Sequence, residues 1–301
     1  MSDTPEEKQE IETAGKRYDH ALVSVSNPQT ADQLLRLACL LTDRSSALHV
    51  MNVTREAPFP ERVSSWRRSS QLVMDMTHLA NRLGRVAKPR ATTARSIPKA
   101  IVSAVSEVEA DLLLMGWFGR VTPLAVKKSR VVNKVLHRAG CDTVVFKSRG
   151  ELSDVKRVVV PVGGEMNEER IGLVQTFLQQ WPVDVVVVHV LTPDSTMEEE
   201  DARELLQDPV KRLGRGAEPR IVRASNMVEG TLQVTEENDL LVLGPGREWV
   251  FGSFLFGRHA DELTNKAPCS VIMFKSAEQI VTAWVRGLFK AIGRWFTGSS
   301  S

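Results

Sequence analysis

Hydrophobic positions along the first half of the chain follow two alternating patterns. Apolar residues spaced three and four apart predict helices, as at 31–41 and 72–83. The strand-length runs are almost wholly apolar instead of alternating, which indicates strands buried on both faces of a parallel sheet covered by helices. These runs lie at 21–25, 47–53, 111–116 and 143–147, with a weaker strand near 91–95.

The same pattern occurs twice. Residues 111–147 align with 239–275 without a gap at an offset of 128, and an earlier block of strands repeats in the same order. Each half therefore predicts a complete doubly wound α/β domain with five strands and four helices. The predicted organisation is a flexible acidic N terminus at 1–17, a first domain at 18–150, a second domain at 151–276, and an amphipathic helix and tail at 277–301.

Length and composition fit this picture. With 301 residues and 42% apolar residues, the chain can build two cores. Three cysteines, an odd number, indicate a reducing compartment, and Cys141 and Cys269 occupy the same repeat position, where we expect small buried thiols. The polar N terminus and the lack of an apolar run of about 20 residues predict a cytoplasmic protein.

The net charge of +2 conceals two halves of opposite charge. Residues 18–150 contain 20 Lys and Arg against 10 Asp and Glu, whereas residues 151–276 contain 13 against 21. Such halves should attract each other, within the chain or between chains, unless the charges only solvate the surface. Basic and aromatic residues do not interleave on one strand, so we expect no nucleic-acid partner.

Glycines mark the end of the fourth strand in each half, at Gly116 and Gly244. The block that follows resembles the universal stress protein family, whose nucleotide-binding members carry G-x2-G-x9-G-[S/T] at this point. The resemblance implies a five-stranded parallel sheet of order 3-2-1-4-5 in each half. In that motif glycines let the backbone approach phosphates, and amides at a helix N terminus donate hydrogen bonds.

The motif is incomplete in both halves. Ser129 and Arg130 replace its last glycine and its hydroxyl residue in the first half, and Arg247 and Arg258 replace its middle glycine and its hydroxyl residue in the second. An aspartate that the nucleotide binders carry after the first strand is also missing. The candidate anion-binding or nucleotide-binding residues are Gly116, Gly119, Ser129 and Arg130 in the first half and Gly163, Gly164, Gly244, Arg247, Gly257 and Arg258 in the second.

Two interpretations of these loops stay open. Arg130 and Arg258, at equivalent helix starts, would hold an anion through their guanidinium groups in place of the lost contacts. Alternatively the loops are degenerate and the arginines are solvated. We expect no cofactor; if either half binds ATP or another adenine nucleotide, the second is favoured, because Gly257 is retained and Gly163 and Gly164 leave the first turn open.

The whole arrangement resembles the tandem stress-protein domains fused behind amino acid/polyamine/organocation transporters and some cation antiporters. The resemblance covers residues 18–275 and rests on phrases such as ADLLLMGWFGR, VEGTLQV and FLFGRHADEL. It implies a membrane protein, such as a transporter, as the partner. Because no spanning helices precede the repeats, we expect a detached form of a regulatory cytoplasmic domain.

The last 25 residues predict an amphipathic helix with a uniformly basic polar face. This pattern is typical of a helix that lies in a membrane interface, here on the inner face of the cell membrane, where anionic lipid attracts the basic residues. The alternatives are packing back on the domains or a dimer contact. The apolar face carries Trp284, Leu288, Phe289, Ile292, Trp295 and Phe296, and the basic stripe carries Arg286, Lys290 and Arg294.

No catalytic set is visible. The six histidines lack metal-ligand spacing, and neither a nucleophile elbow nor a P-loop is present, so we expect no metal and no enzyme. The last strands, near 143–147 and 270–274, are the natural pairing edge between repeats and predict an internal pseudo-dimer, with a further homodimer left open. The sequence thus predicts a non-catalytic regulatory or scaffolding partner at the cytosolic membrane surface; the rival is a soluble adenine-nucleotide sensor that uses the second domain.

Overall fold

The computed structural model describes most of the two repeats. It covers residues 18–117, 123–164, 166–214, 216–245 and 257–278, without the side chains of 123–129. The predicted acidic N terminus, Gly119, Arg247 and all but the first two residues of the predicted tail lie outside the described residues.

Strands and helices alternate through both halves. The strands are β1 (His20–Ser24), β2 (Ala47–Arg55), β3 (Ala87–Ala94), β4 (Leu112–Gly116), β5 (Asp142–Lys147), β6 (Arg157–Pro161), β7 (Asp184–Leu191), β8 (Ala217–Arg223), β9 (Asp239–Leu243) and β10 (Ser270–Lys275). The helices are α1 (Pro28–Leu41), α2 (Glu61–Arg82), α3 (Ile97–Glu107), α4 (Pro123–Leu136), α5 (Glu168–Gln180), α6 (Glu199–Leu213), α7 (Met227–Gln233) and α8 (Arg258–Lys266). None of the helices in the described residues is long and apolar enough to cross a bilayer.

All ten strands belong to one sheet of order β3-β2-β1-β4-β5-β10-β9-β6-β7-β8. Within each half the neighbouring strands are parallel and follow the order 3-2-1-4-5, which confirms the fold predicted from the sequence. The weak strand predicted near 91–95 is present as β3 but begins at Ala87. Helix α2 begins at Glu61, eleven residues before the predicted helix, because its first two turns are exposed and carry no core-facing periodicity.

The two halves join through their last strands, as predicted. Strands β5 and β10 pair antiparallel, with Val145 opposite Met273 at the centre of the pairing. These two residues are equivalent in the repeat, at the offset of 128, so a pseudo-twofold axis passes between them perpendicular to the sheet. The chain therefore contains within itself the symmetric pair that two separate copies of one half would form.

A lysine from each last strand caps the last helix of the other half. Lys147 Nζ donates to the carbonyl oxygens of Thr264 at 2.6 Å and Ala267 at 3.1 Å, just where α8 ends. Lys275 Nζ donates to the carbonyls of Leu136 at 3.3 Å and Ala139 at 3.1 Å, at the end of α4. Carbonyls at a helix C terminus have no partner within the helix and carry its negative dipole, so both ammonium groups stabilise the joint.

At the start of each half's last strand, one side chain accepts a hydrogen bond from the segment that follows the last strand of the other half. Ser270 Oγ accepts a hydrogen bond from the Arg149 amide at 2.9 Å, and the equivalent residue Asp142 accepts one from the Ala277 amide at 2.9 Å through Oδ1. The symmetry of the joint therefore extends to its hydrogen bonds, and the chain beyond Ala277 departs from this central joint.

The helices form two layers. Helices α1, α2, α5 and α6 pack on one face of the sheet, and α3, α4, α7 and α8 pack on the other. On the first face α1 and α5 meet across the pseudo-twofold axis. The connection between the halves crosses there too, since Gln33 Oε1 accepts a hydrogen bond from the Leu152 amide at 2.9 Å. The layer is therefore continuous from α2 at one edge to α6 at the other.

The cysteines at equivalent positions are packing residues, as predicted. Cys141 and Cys269 are buried free thiols, and burial raises the pKa of each to about 11. Neither thiol is ionised at neutral pH, so both behave as small apolar side chains.

We expect Lys275→Met to lower the free energy of unfolding by about 1–3 kcal/mol, because buried carbonyls lose their donor. Burial lowers the pKa of Lys275 to about 8, against an ordinary value of 10.5 in the unfolded chain. Between these two values the unfolded state binds more protons, so the wild type gains stability as pH rises, by up to about 1.4 kcal/mol per pH unit. Urea unfolding across this window should show the gap between the two proteins widening with pH.

Lys266→Met is the matched control, because this lysine is exposed and pairs with Glu262 at 2.7 Å on the surface of α8. Its effect should stay within about 0.5 kcal/mol and should not grow with pH. A gap between wild type and Lys275→Met that stays constant between pH 8 and 10.5 contradicts the lowered pKa of Lys275 in the folded protein.

Candidate functional site

Two clefts lie at the carboxyl ends of the strands, at the points where the strand order within each half reverses. The first lies over β1 and β4 and the second over β6 and β9, which is where open α/β sheets bind ligands. Because β5 and β10 run antiparallel, the two clefts open at opposite ends of the strands.

The first cleft has a volume of about 400 Å³ and a mainly apolar lining. Its buried polar groups bond to one another: Ser69 Oγ donates to Asn52 Oδ1 at 2.6 Å, and Asn52 Nδ2 donates to the Val25 carbonyl at 2.7 Å. These bonds tie α2 to the carboxyl ends of β1 and β2. They also leave little polar capacity free for a ligand. The main lining residues are Ser24, Val25, Ser26, Asn52, Val53, Arg68, Ser69, Leu72, Ile97, Ile101, Met115, Gly116, Val131 and Val132.

Asn27, which follows β1, has a structural role. Asn27 is the N-cap of α1, where its Oδ1 accepts a hydrogen bond from the Gln29 amide at 3.2 Å. Gly116 ends β4 and lines the cleft as predicted, and an added Cβ there would meet no atom within 4 Å. The described part of the first cleft therefore contains the predicted glycine and one arginine, Arg68, in a mainly apolar lining.

The predicted position of Arg130 at the start of a helix is wrong. Helix α4 begins at Pro123, so Ser129 and Arg130 lie inside the helix and not at its start. Their amides donate within the helix, and no amide of a free N terminus faces an anion at this point. Arg130 itself is exposed. The equivalence with Arg258 fails because the helix of the first half starts seven residues earlier in the repeat.

The second cleft is larger, about 760 Å³, and brings together the residues predicted for it within the described chain. Gly163 and Gly164 follow β6, Gly244 follows β9, and Arg258 opens α8. Its lining is Pro161, Gly163, Gly164, Arg170, Met227, Thr231, Leu243, Gly244, Pro245, Gly257, Arg258, His259, Ala260 and Leu263.

The N terminus of α8 is built on a glycine. Gly257 is the N-cap, with φ 100° and ψ 159°, a conformation that is essentially restricted to glycine. Arg258 follows as the first helical residue and is exposed at the mouth of the cleft. The first amides of α8 and the Arg258 guanidinium thus supply the positive end of the cleft.

Arg170 is a functional candidate that the sequence did not reveal. It lies on the first turn of α5 and reaches into the second cleft, where its Nη1 lies 3.0 Å from the Cβ position of Gly244 and 3.4 Å from the Pro161 carbonyl oxygen. Its Nε is buried without a hydrogen-bond partner, and burial lowers the pKa of Arg170 to about 10. Among the described residues no carboxylate pairs with it.

An unpaired guanidinium in a half-buried cleft is costly unless an anion joins it. In the sequence, Arg170 directly follows Glu168 and Glu169, a setting typical of a surface arginine. The sequence feature that could have identified Arg170 is its position beside the buried Ile171, in the first helical turn after β6. A side chain at Gly244 would crowd the guanidinium, since an added Cβ would lie 3.0 Å from Arg170 Nη1.

The described residues contain no group of three or more His, Cys, Asp or Glu side chains able to hold a metal ion. The Nδ1 of the buried His189 donates a hydrogen bond to the Val162 carbonyl oxygen at 2.8 Å, so His189 is a packed strand residue. The second cleft offers groups that can bind an anion, namely the Arg170 and Arg258 guanidinium groups and the first amides of α8.

These observations define a tandem α/β protein with two Rossmann-like halves fused through their last strands. The chain belongs to the universal stress protein family: the family model matches it twice, at residues 17–147 and 154–275.

Several known proteins are similar to it. The universal stress protein from Archaeoglobus fulgidus DSM 4304 has a TM-score of 0.59 at 15% identity, covering 85% of this chain and 96% of that one. The cytoplasmic domain of a prokaryotic cation chloride cotransporter has a TM-score of 0.56 at 10% identity, covering 86% and 95%. Both show the fold.

A relative in sequence is the Na(+)/H(+) antiporter NhaS5 of Synechocystis sp., which is 22% identical over 263 residues. The match covers 84% of this chain, while the chain spans 38% of the antiporter's length.

We expect Gly257→Ala to lower the free energy of unfolding by about 1–3 kcal/mol, because an L-residue is strained in this conformation. Gly116→Ala is the matched control. Gly116 has an ordinary φ and open space around it, so this substitution should change the free energy of unfolding by only about a few tenths of a kcal/mol. Thermal unfolding of the two variants measures the difference. Equal effects would show that the backbone at Gly257 has no special requirement for glycine.

Proposed function

We propose that this protein is a non-catalytic regulatory partner of a membrane protein, such as a transporter, held at the cytosolic membrane surface. The observation that carries the proposal is the extent of the likeness to transporter segments. It spans both halves and their joint, and it includes a sequence relative that is an antiporter and a fold relative that is the cytoplasmic domain of a cotransporter.

The chemistry of the clefts favours a non-catalytic role. The first cleft is apolar, and its buried amide and hydroxyl groups are satisfied by one another. The described lining of the second cleft offers arginines, backbone amides and an exposed histidine, but no carboxylate or thiol. Nucleophilic and general acid–base catalysis need a nucleophile and a base within hydrogen-bond reach of each other, and the Thr231 hydroxyl in this lining donates instead to the Met227 carbonyl at 2.8 Å.

Residues 279–301 supply the proposed attachment. Their sequence places tryptophans and phenylalanines on one face and a basic stripe on the other, which suits the interface of an anionic bilayer. The chain enters this segment from the central joint, where the Ala277 amide is bonded to Asp142. An attachment at this point would hold both halves by their common axis.

Deletion of residues 279–301 should move the protein from the membrane pellet to the supernatant when cells are fractionated. The deletion starts after Ala277, so the bond to Asp142 stays intact and the fold should be retained. A chain with the same tail residues in shuffled order, which removes the amphipathic face, is the matched control and should also be released. Full-length protein in the supernatant, or deleted protein in the pellet, contradicts the proposal.

A second candidate function is an anion sensor in the second cleft, with an adenine nucleotide as the ligand. The unpaired guanidinium of Arg170 beside Gly244 and the N terminus of α8 favours it. Three positive elements would face one anionic group there, in a site that the family resemblance associates with phosphates.

We expect Arg170→Met to raise the stability of the ligand-free protein by about 1–3 kcal/mol, because a buried charge without a partner is removed. The sign differs from that at Lys275 because Arg170 has few partners to lose: its Nε has no hydrogen-bond partner, and its Nη1 makes one long contact of 3.4 Å with the Pro161 carbonyl oxygen. Adding ATP should raise the melting temperature of the wild type and not that of Arg170→Met, with inorganic phosphate as a parallel titration.

Arg258→Met is the matched control for this test. Arg258 is exposed, so its removal should weaken the response to ATP without stabilising the ligand-free protein. Equal responses of wild type and Arg170→Met to ATP would show that Arg170 does not bind the anion.

A further inference from the structure

The first two turns of α2 project beyond the protein core. Residues 61–68 are all exposed or half-exposed, and the first buried residue of the helix is Ser69. This projecting segment, residues 59–68, includes the first eight residues of α2, which span about 12 Å along the helix axis. Neither the first cleft nor the sheet needs the outer face of this projection, so its composition is informative.

An apolar stripe runs along the outer face of α2. Phe59 is 76% exposed, Val63 36%, Trp66 52% and Met74 43%. Val63, Trp66 and Met74 are three and eight residues apart, which keeps them on one side of the helix, and Phe59 lies in the turn just before it. Among the described residues the other large exposed apolar side chain is Val86, beyond the far end of α2. The exposed apolar surface is thus concentrated on one helix of the basic half.

Arginines border this stripe. On the helix, Arg62 lies on one side of Trp66 and Arg67 on the other, and both are exposed. No ion pair joins either of them to an acidic group within the described chain. The single acidic residue of the projecting segment is Glu61, in the first turn of the helix. The face therefore combines aromatic rings with unneutralised guanidinium groups.

The equivalent helix of the second half lacks this combination. Helix α6 starts with Glu199, Glu200 and Asp201, and its arginines are engaged, as in the pair of Arg203 with Glu199 at 3.1 Å. The two helices occupy matching places at opposite edges of the sheet. The aromatic and basic face is therefore a property of one half and not of the fold.

The size and charge of the face favour a bilayer over a protein partner. Two turns of helix offer far less than the roughly 800 Å² per partner that a stable protein interface buries. A bilayer has no such requirement, since indole and phenyl rings enter its interface one at a time while arginines meet lipid phosphates. A small membrane contact of this kind strengthens membrane binding when the same chain carries another membrane contact.

We propose that the projecting segment of α2 is a second lipid-binding element, which inserts Phe59 and Trp66 into the interface of an anionic membrane while Arg62 and Arg67 contact lipid headgroups. The proposal deepens the proposed function, on which it rests for the membrane as the partner. It uses residues remote in sequence from the tail, so the two elements can be tested separately.

The test measures cosedimentation of the full chain with vesicles of phosphatidylcholine containing about 30% phosphatidylglycerol. Phe59→Ser/Trp66→Ser should weaken binding by at least about tenfold, because two rings lose their burial in lipid. Arg62→Gln/Arg67→Gln should weaken it by about 30-fold, and only on anionic vesicles. Circular dichroism should be unchanged, because the four side chains are exposed.

The matched controls are Val86→Ser, for an exposed apolar residue, and Arg82→Gln/Lys99→Gln, for two exposed charges of the same half. Equal losses in the controls and in the α2 variants would overturn the proposal. So would unchanged vesicle binding of the α2 variants together with a change in oligomeric mass, which would make the face a protein contact.

A tail variant separates this proposal from the proposed function. Arg286→Gln/Lys290→Gln/Arg294→Gln should weaken vesicle binding on its own, and the α2 variants should weaken it further. If the tail variant alone loses binding, the α2 proposal falls and the attachment by the tail stands. If the α2 variants alone lose binding, the lipid-binding element stands and the attachment by the tail falls.

Discussion

The antiparallel pairing of β5 with β10 is the interaction on which the rest of the structure depends. It converts two five-stranded sheets, each with an open edge, into one ten-stranded sheet, and it buries Lys147 and Lys275 against the helix ends of the opposite half. An unpaired edge strand exposes backbone groups that invite aggregation, so this closure is also protective. The pairing directs the clefts to opposite ends of the strands, brings α1 against α5, and fixes the point from which the C-terminal segment leaves.

Around this symmetric joint the two halves differ in chemistry. The first cleft is apolar and internally satisfied, whereas the second holds the unpaired Arg170 and the glycine-built start of α8. The outer helices differ as well, with rings and free arginines on α2 and carboxylates on α6. One scaffold thus presents two separate surfaces. This suits a protein that contacts a membrane and a partner on different sides better than one that binds the same ligand twice.

The sequence was sufficient for the scaffold because the repeat and the unbroken apolar runs report burial directly. The strand order came from the family resemblance, and the pairing edge followed from the repeat and that resemblance together. The sequence was insufficient wherever a prediction depended on the position of a helix boundary. Ser129 and Gly257 are equivalent in the alignment, yet one lies inside α4 and the other caps α8, because only the glycine adopts φ 100°. The sequence does not single out Arg170, because it belongs to no motif and only the fold brings it beside Gly244. The start of α2 was missed because exposed turns leave no hydrophobic period to follow.

The exchange of lysines across the joint has an evolutionary corollary. A single half would have to meet an identical copy to complete its helix ends, and both members of that homodimer would carry the same cleft and the same surface. Covalent fusion makes the encounter intramolecular and independent of protein concentration. It also frees each half from the sequence of the other everywhere except at the joint. Specialisation of one cleft, or of one outer helix, then needs only a change in one copy.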